Sequence, residues 1–182
     1  FYVAPLINSY IRMGTAEDKA LLLRAFCEDE SETFEYTKRG ETTSTQENIY
    51  QHCVRIMKSY KGKQDRQKEK GFKELQTKIS KSSSQDKVIV CDCTEELEQA
   101  LTGLVAIKVA ESFNKPILLL RRKKDDPKVF GGSGRAFDYC PIEDFRGFTE
   151  SCPYVTLAQG HNQAFGVEIP ESNISKAQEW FN

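Results

Sequence analysis

Two short segments hold residue types that could act on a phosphate. The first is Gly131-Gly132-Ser133-Gly134-Arg135, with three glycines, a hydroxyl and a guanidinium in five positions. Glycine lets a backbone turn sharply or come very close to another group. Backbone N–H groups freed in this way can converge on an anion, and a guanidinium offers a forked match to phosphate oxygens. The second segment is Gly160-His161 within "AQGHNQAFG"; His161 is one of two histidines in the chain. Imidazole can donate to a phosphate oxygen or carry a proton. Each segment has a plainer reading beside this one. Glycines can mark a bulge in a strand that leaves Arg135 exposed, and a lone histidine can simply sit on the surface. No Lys-Ser/Thr pair follows the glycines as a P-loop needs. Nor do they join a first strand to a first helix as in a dinucleotide fingerprint.

The remaining reactive residues form no comparable pattern. Six cysteines (Cys27, Cys53, Cys91, Cys93, Cys140, Cys152) are scattered without a CxxC pair, so no metal site is expected in this chain. They read as reduced cysteines of a cytosolic protein, several of them in the core, and the localisation expected is cytoplasmic. Net charge is −1, which neither favours nor excludes nucleic acid, but its distribution is uneven. Acids dominate Glu28–Glu47, bases dominate Arg55–Lys81, and a second basic group is Arg121-Arg122-Lys123-Lys124. Such runs are solvated faces or footprints for a phosphate backbone. Phe130, Phe137 and Tyr139 flank the glycines and could stack on bases, although alternation suits a core position better. No apolar run approaches the length needed to cross a bilayer, so no membrane partner is expected.

The elements that must position these residues follow from periodicity. Pro5 and Gly14 argue against one helix through residues 1–14. Thr15 is an N-cap with Glu17 and Asp18 behind it, and Ala20, Leu22, Leu23 and Phe26 supply the apolar face of the helix that follows. A polar loop covers "TKRGETTST". Ser44 with Glu47 has the form of a capping box, ahead of a helix with Ile49, Cys53, Ile56 and Tyr60 on one face. That helix is long, or two in series with a weak point at Gly62 or Gly71. "SKSSSQDK" (80–87) reads as a linker. "VIVCDC" and "PILLL" are unalternating apolar strands around a helix over 95–113, hence a βαβ unit with parallel strands. Hairpin signals follow Leu120, then a short helix over 142–149, strands over 154–157 and 164–169, and a final helix capped by Ser172 or Asn173. The fold class expected is α/β, a mixed β-sheet flanked by helices and preceded by a long helical linker or arm, with residues 1–85 as the arm and 86–182 as the α/β domain. Both ends read as cut, so the chain is expected to be a fragment.

Taken in order, "TGLVAIKVAESFNKPILLL", "GGSGRA" and "AQGHNQAFGVEI" resemble the DHH-associated C-terminal domain of DHH-family phosphoesterases. The entry segment "APLINSYIRMG", through Pro5, Asn8, Arg12 and Gly14, is similar to the inter-lobe segment of RecJ-like single-strand-specific DNA exonucleases. The resemblance implies an enzyme that removes nucleotides from the 5′ end of single-stranded DNA with Mn2+ or Mg2+, the metals being held in an N-terminal catalytic lobe. No Asp-His-His occurs here, so that lobe would lie ahead of Phe1. The fragment itself would bind no metal and would hydrolyse nothing alone. By the same resemblance Arg12, Ser133, Gly134, Arg135 and Gly160 would bind substrate phosphate, and His161 would face the metal centre in a catalytic role. The partners implied are single-stranded DNA and the N-terminal lobe of the same chain. Repair and recombination would be the setting.

The match has departures. Gln159 stands where glycine is usual, Ala136 where serine is common, and Glu98 near a frequent histidine. They suit a divergent relative of phage or mobile-element type and leave polarity and substrate open. Two alternatives stand beside the exonuclease. One is a phosphodiesterase for short oligoribonucleotides or cyclic dinucleotides, and the other is an inactive nuclease-like scaffold that binds nucleic acid.

Overall fold

A computed structural model describes residues 2–28, 31–83 and 85–182. Phe1, at the start of the entry segment, Asp29 and Glu30 of the acidic run, and Ser84 of the expected linker lie outside the described residues. The chain forms two compact units, residues 1–66 and 67–182. The division falls within a helix rather than at residue 85. The helix continues to Ser82 and its second half buries Leu75 and Ile79, so that half belongs with the sheet.

The first unit begins with helix α1, Val3–Met13, which contains Pro5. The expectation of a break at Pro5 is corrected. Pro5 falls in the first turn, where the missing N–H would have had no helical partner. Gly14 does end the helix. Thr15 caps α2, Ala16–Phe26, in a reciprocal box with Asp18. Its buried residues are Leu22 and Ala25, whereas Leu23 and Phe26 are exposed. A hairpin, β1 (Thr33–Thr37) and β2 (Ser44–Asn48), flanks the expected polar loop, of which only Thr37, Ser44 and Thr45 are strand. Ser44 is therefore in a strand, and the capping box sits four residues later. Asn48 accepts from the Gln51 amide at 2.9 Å, and Gln51 accepts from the Asn48 amide at 3.0 Å. From there α3 runs unbroken over Ile49–Ser82, 34 residues. Tyr10, Leu22, Ala25, Ile49, Cys53 and Met57 form the core of this unit.

His52 stacks on Phe34 in this unit, with ring centroids 4.0 Å apart. Burial, with the Arg55 guanidinium beside it, holds the imidazole below its usual pKa, against the pull of Glu47. Hydrogen bonding from Arg55 holds the Glu47 carboxyl down. Burial pushes Asp18 up, but the hydroxyl of Tyr60 at 2.6 Å and the donors of Thr15 outweigh it. All three groups bind protons less readily folded than unfolded, so acid favours unfolding. The unfolded imidazole charges near pH 6.5. Stability of this unit should therefore fall as pH drops below about 6.5 through the His52 pKa, and again through the carboxylate range. Melting temperatures at about pH 7 and pH 5 check this, and His52→Gln should flatten the upper step. A melting temperature that rises on acidification would contradict it.

The second unit holds β3 (Ile89–Asp92), a 3-10 turn at Gln99–Leu101, α4 (Thr102–Phe113), β4 (Ile117–Arg122), β5 (Val129–Arg135), α5 (Phe145–Glu150), β6 (Leu157–His161), β7 (Ala164–Pro170) and α6 (Ile174–Phe181). The sheet order is β3-β4-β5-β7-β6. β3 and β4 are parallel, as the unalternating runs required, and the other pairs are antiparallel. This is the mixed sheet flanked by helices. One face carries Val90, Leu118, Leu120, Phe130, Phe165, Val167 and Ile169, packed with Phe145 of α5 and Phe181 of α6. On the other face α4 lies over β4 and β5. Asn173 precedes α6 but makes no side-chain cap. No helix among the described residues is long and apolar enough to cross a membrane.

Candidate phosphate-binding site

β5 is the middle strand, so its N–H and C=O groups face two ladders. The expected backbone cradle is thereby corrected, because amides bonded within a sheet cannot converge on an anion. The glycines serve spacing instead. A Cβ on Gly132 would run into the Leu119 carbonyl, and one on Gly134 would run into the Phe165 ring. Gly160 has φ +141°, where glycine is favoured. Phe130 is in the core, and Tyr139 is 99% exposed.

Residues opposite one another across a ladder share a face. Ser133 is opposite Gly166, which is opposite Gln159; Arg135 is opposite Ala164, which is opposite His161. Ser133, Arg135 and His161 thus occupy neighbouring rows of the face that carries α4. His161 and Gln159 are exposed and Ser133 and Arg135 are half-buried. The start of α4 closes in on the same pair. A Cβ on Gly103 would lie 2.9 Å from Nη2 of Arg135 and 3.2 Å from Oγ of Ser133. Arg135 Nη1 donates to the carbonyls of Gly134 at 2.6 Å and Phe165 at 3.3 Å, which fixes the guanidinium. Arg12 belongs to the first unit, exposed in the last turn of α1.

Beside Ser133 lies a recess of about 390 Å³ between the start of α4 and the end of β4; among its lining residues are Gln99, Thr102, Lys123, Lys124, Gly131 and Gly166. Glu168 holds Lys123 at 2.8 Å and raises its pKa. Thr102 is 4% exposed. Sequence reasoning used Thr102 only as a landmark and missed it as a site residue. The sequence carried no signal for it, because Thr102 continues from the 3-10 turn, where its amide donates to the Gln99 carbonyl, and the isolation of its hydroxyl is a product of the fold.

Among the described residues no three His, Cys, Asp or Glu side chains are grouped to hold a metal ion. Burial pushes the thiol of Cys91 up to about 11 and that of Cys93 up to about 12, which makes both poor ligands and poor nucleophiles. The site offers cations and hydrogen-bond donors suited to phosphate oxygens, and the carboxylates of Asp125 and Glu168 line the same recess.

No family model matches the sequence. The chain is 34% identical over 176 residues to two proteins provisionally named single-strand DNA-specific exonuclease YorK, one from the SPbeta prophage of Bacillus subtilis (strain 168) and one from Bacillus phage SPbeta. The match covers 96% of this chain and 30% of each relative. Among solved structures, RecJ of Thermus thermophilus in complex with Mn2+ matches 99% of this chain with a TM-score of 0.63 at 19% identity, over 24% of its own length. The Mg2+ complex gives 0.65 over 25% of its length, and an exonuclease RecJ bound to manganese gives 0.60 over 38%. These structures share the fold of this chain.

Proposed function

We propose a phosphate-gripping role for this chain, which belongs to the RecJ-like family of single-strand DNA-specific exonucleases. The chain spans about 30% of the length of its curated relatives, and in the longer protein it would form the wall of the cleft that holds single-stranded DNA. The observation that carries this reading is the meeting of Ser133 Oγ and the Arg135 guanidinium at the start of α4. A hydroxyl and a guanidinium are both donors, and together they suit the oxygens of one phosphate. Contacts to phosphate oxygens carry no sequence information, so they would position a strand without reading it. Their fixed positions would also stabilise charge that builds on the phosphoryl oxygens during hydrolysis.

His161 stands in the row of Arg135, two strands away, and would donate to the scissile or adjacent phosphate. Arg12, in the last turn of α1, would bind substrate phosphate as well. The divalent ions present in the RecJ structures would be held elsewhere in the longer chain, since no three His, Cys, Asp or Glu side chains are grouped among the described residues. The direction of processing from the 5′ end belongs to the same proposal, as does the inability of this part alone to hydrolyse DNA.

The test is a comparison of the full-length protein on long single strands, duplex and dinucleotides. Long single strands should be the preferred substrate, and exclusive cleavage of dinucleotides would overturn the reading. Ser133→Ala should lower kcat/KM on single strands by about tenfold, the worth of one hydrogen bond to a charged group.

A further inference from the structure

We infer that Tyr139 is a stacking platform for a nucleobase, placed beside the phosphate grip so that a bound strand is held by a base as well as by its backbone. The inference rests on the proposed function and adds to it a contact to a base. The alternation that favoured a core position holds for Phe130 and fails for Tyr139, which is 99% exposed. Its side chain has no hydrogen bond and no ring contact among the described residues. A single exposed aromatic side chain is ordinary on a protein surface. The backbone beneath this one is not.

The Cys140 N–H donates to the Phe137 carbonyl at 3.1 Å and closes a turn with Asp138 and Tyr139 at its centre. Tyr139 has φ +66°. A turn with positive φ at its third residue favours glycine or asparagine there, because a Cβ crowds the backbone in that region. A bulky ring at such a position is an outlier. Tyr139 therefore combines a left-handed backbone with a large ring held in water, and the fold gives it no contact in return. Strained residues of this kind gather where a ligand is met.

The turn stands at the end of the sheet that holds Arg135 and His161. Tyr139 follows Arg135 by four residues, so their Cα atoms are at most about 14 Å apart. The Ala136 N–H donates to the Gln163 carbonyl at 3.1 Å, and the Gln163 side-chain amide donates to the carbonyls of Ile142 at 2.8 Å and Glu143 at 2.6 Å. The loop is thus tied at both ends to the turn that follows His161, and no ligand has to order it. An exposed aromatic ring at the rim of a phosphate grip suits the π-face of a base, whichever base it is. The neighbouring Asp138 is exposed and acidic, which disfavours a phosphate at this spot and leaves the uncharged base as the partner. Within a duplex both faces of a base are covered by its neighbours, so the platform would favour single strands.

The test uses the full-length protein, with a chelator present to stop cleavage, and single-stranded oligonucleotides that carry one abasic site at the first, second, third or fourth nucleotide. One of these positions should weaken binding about tenfold, the worth of one stacked base, and that penalty should vanish in Tyr139→Gly. Tyr139→Phe should bind as the parent does. Tyr139→Gly should bind the intact strand about tenfold less tightly with an unchanged salt dependence, since no phosphate contact is lost. Its melting temperature should hold or rise by about 2 °C, because glycine relieves the positive φ. Three results would overturn the inference: no abasic position matters, Tyr139→Gly binds normally (which would leave the ring to a protein partner), or that variant loses binding while melting several degrees lower. If Arg135→Ala weakens binding while Tyr139→Gly does not, the platform fails and the phosphate grip stands. The reverse result keeps the platform and sinks the grip. If neither change matters, both fail.

Discussion

Alanine at Gly132 is expected to disrupt the sheet of the second unit. The added methyl would run into the Leu119 carbonyl oxygen, with the Leu119 carbonyl carbon at 2.8 Å and the Leu120 Cα at 2.9 Å. All three atoms are backbone of the adjacent strand, held by the β4–β5 ladder, so none can swing aside as a side chain would. Overpacking a core typically costs about 1–3 kcal/mol, and this substitution belongs at the top of that range or above it. Against a total stability of about 5–15 kcal/mol, the urea midpoint should fall clearly. Gly134→Ala should cost less, because its obstacle is the Phe165 ring, a side chain that can shift. Gly166→Ala is the contrasting case. Its methyl makes only ordinary contacts, the nearest with the Gln159 carbonyl oxygen at 3.7 Å, so stability should hold or improve by about 0.5–1 kcal/mol. It would nevertheless stand on the floor of the site and hinder a strand lying there. If Gly132→Ala is as stable as the parent, the close approach of β4 and β5 is wrong.

Arg135→Ala should have the largest effect on function, a fall in kcat/KM of about a hundredfold on single strands, the scale seen when one preorganised donor to a developing oxyanion is removed. The guanidinium is held in place by the Gly134 and Phe165 carbonyls, so its geometry exists before substrate arrives. Arg135→Lys keeps the charge but loses the fork, and should recover only part of the loss. Losing one phosphate contact should also flatten the salt dependence of binding, by close to one unit of slope at most. The domain should remain folded by circular dichroism. A folded Arg135→Ala protein with unchanged activity would remove Arg135 from the site.

The sequence carried the α/β architecture because buried strands leave a direct mark. "VIVCDC" and "PILLL" do not alternate, and they became the parallel pair β3–β4. Thr15 and Asp18 formed the capping box that they spell. The hairpin of the first unit left no such mark. "TFEYT" and "STQEN" are largely exposed strands, so their composition resembles a loop. The cap read at Ser44–Glu47 fell inside a strand, and the capping box formed instead at Asn48–Gln51. At the site, residue types revealed Ser133, Arg135 and His161 as candidates, but not why glycines surround them. That reason lies in the Leu119 carbonyl and the Phe165 ring, which adjoin β5 only after folding. Thr102 was illegible for a related cause, since a hydroxyl becomes an orphan through what does not reach it.

The central position of β5 has a consequence for the thermodynamics of binding. A strand hydrogen-bonded on both sides opens only when much of its domain opens, so the amides of Gly131–Arg135 should be among the slowest of the chain to exchange with solvent. A surface of that kind loses little freedom when a ligand lands on it. The ordering entropy of the complex would then be borne almost wholly by the flexible polymer, and affinity should respond more to stiffening the nucleic acid than to rigidifying the protein.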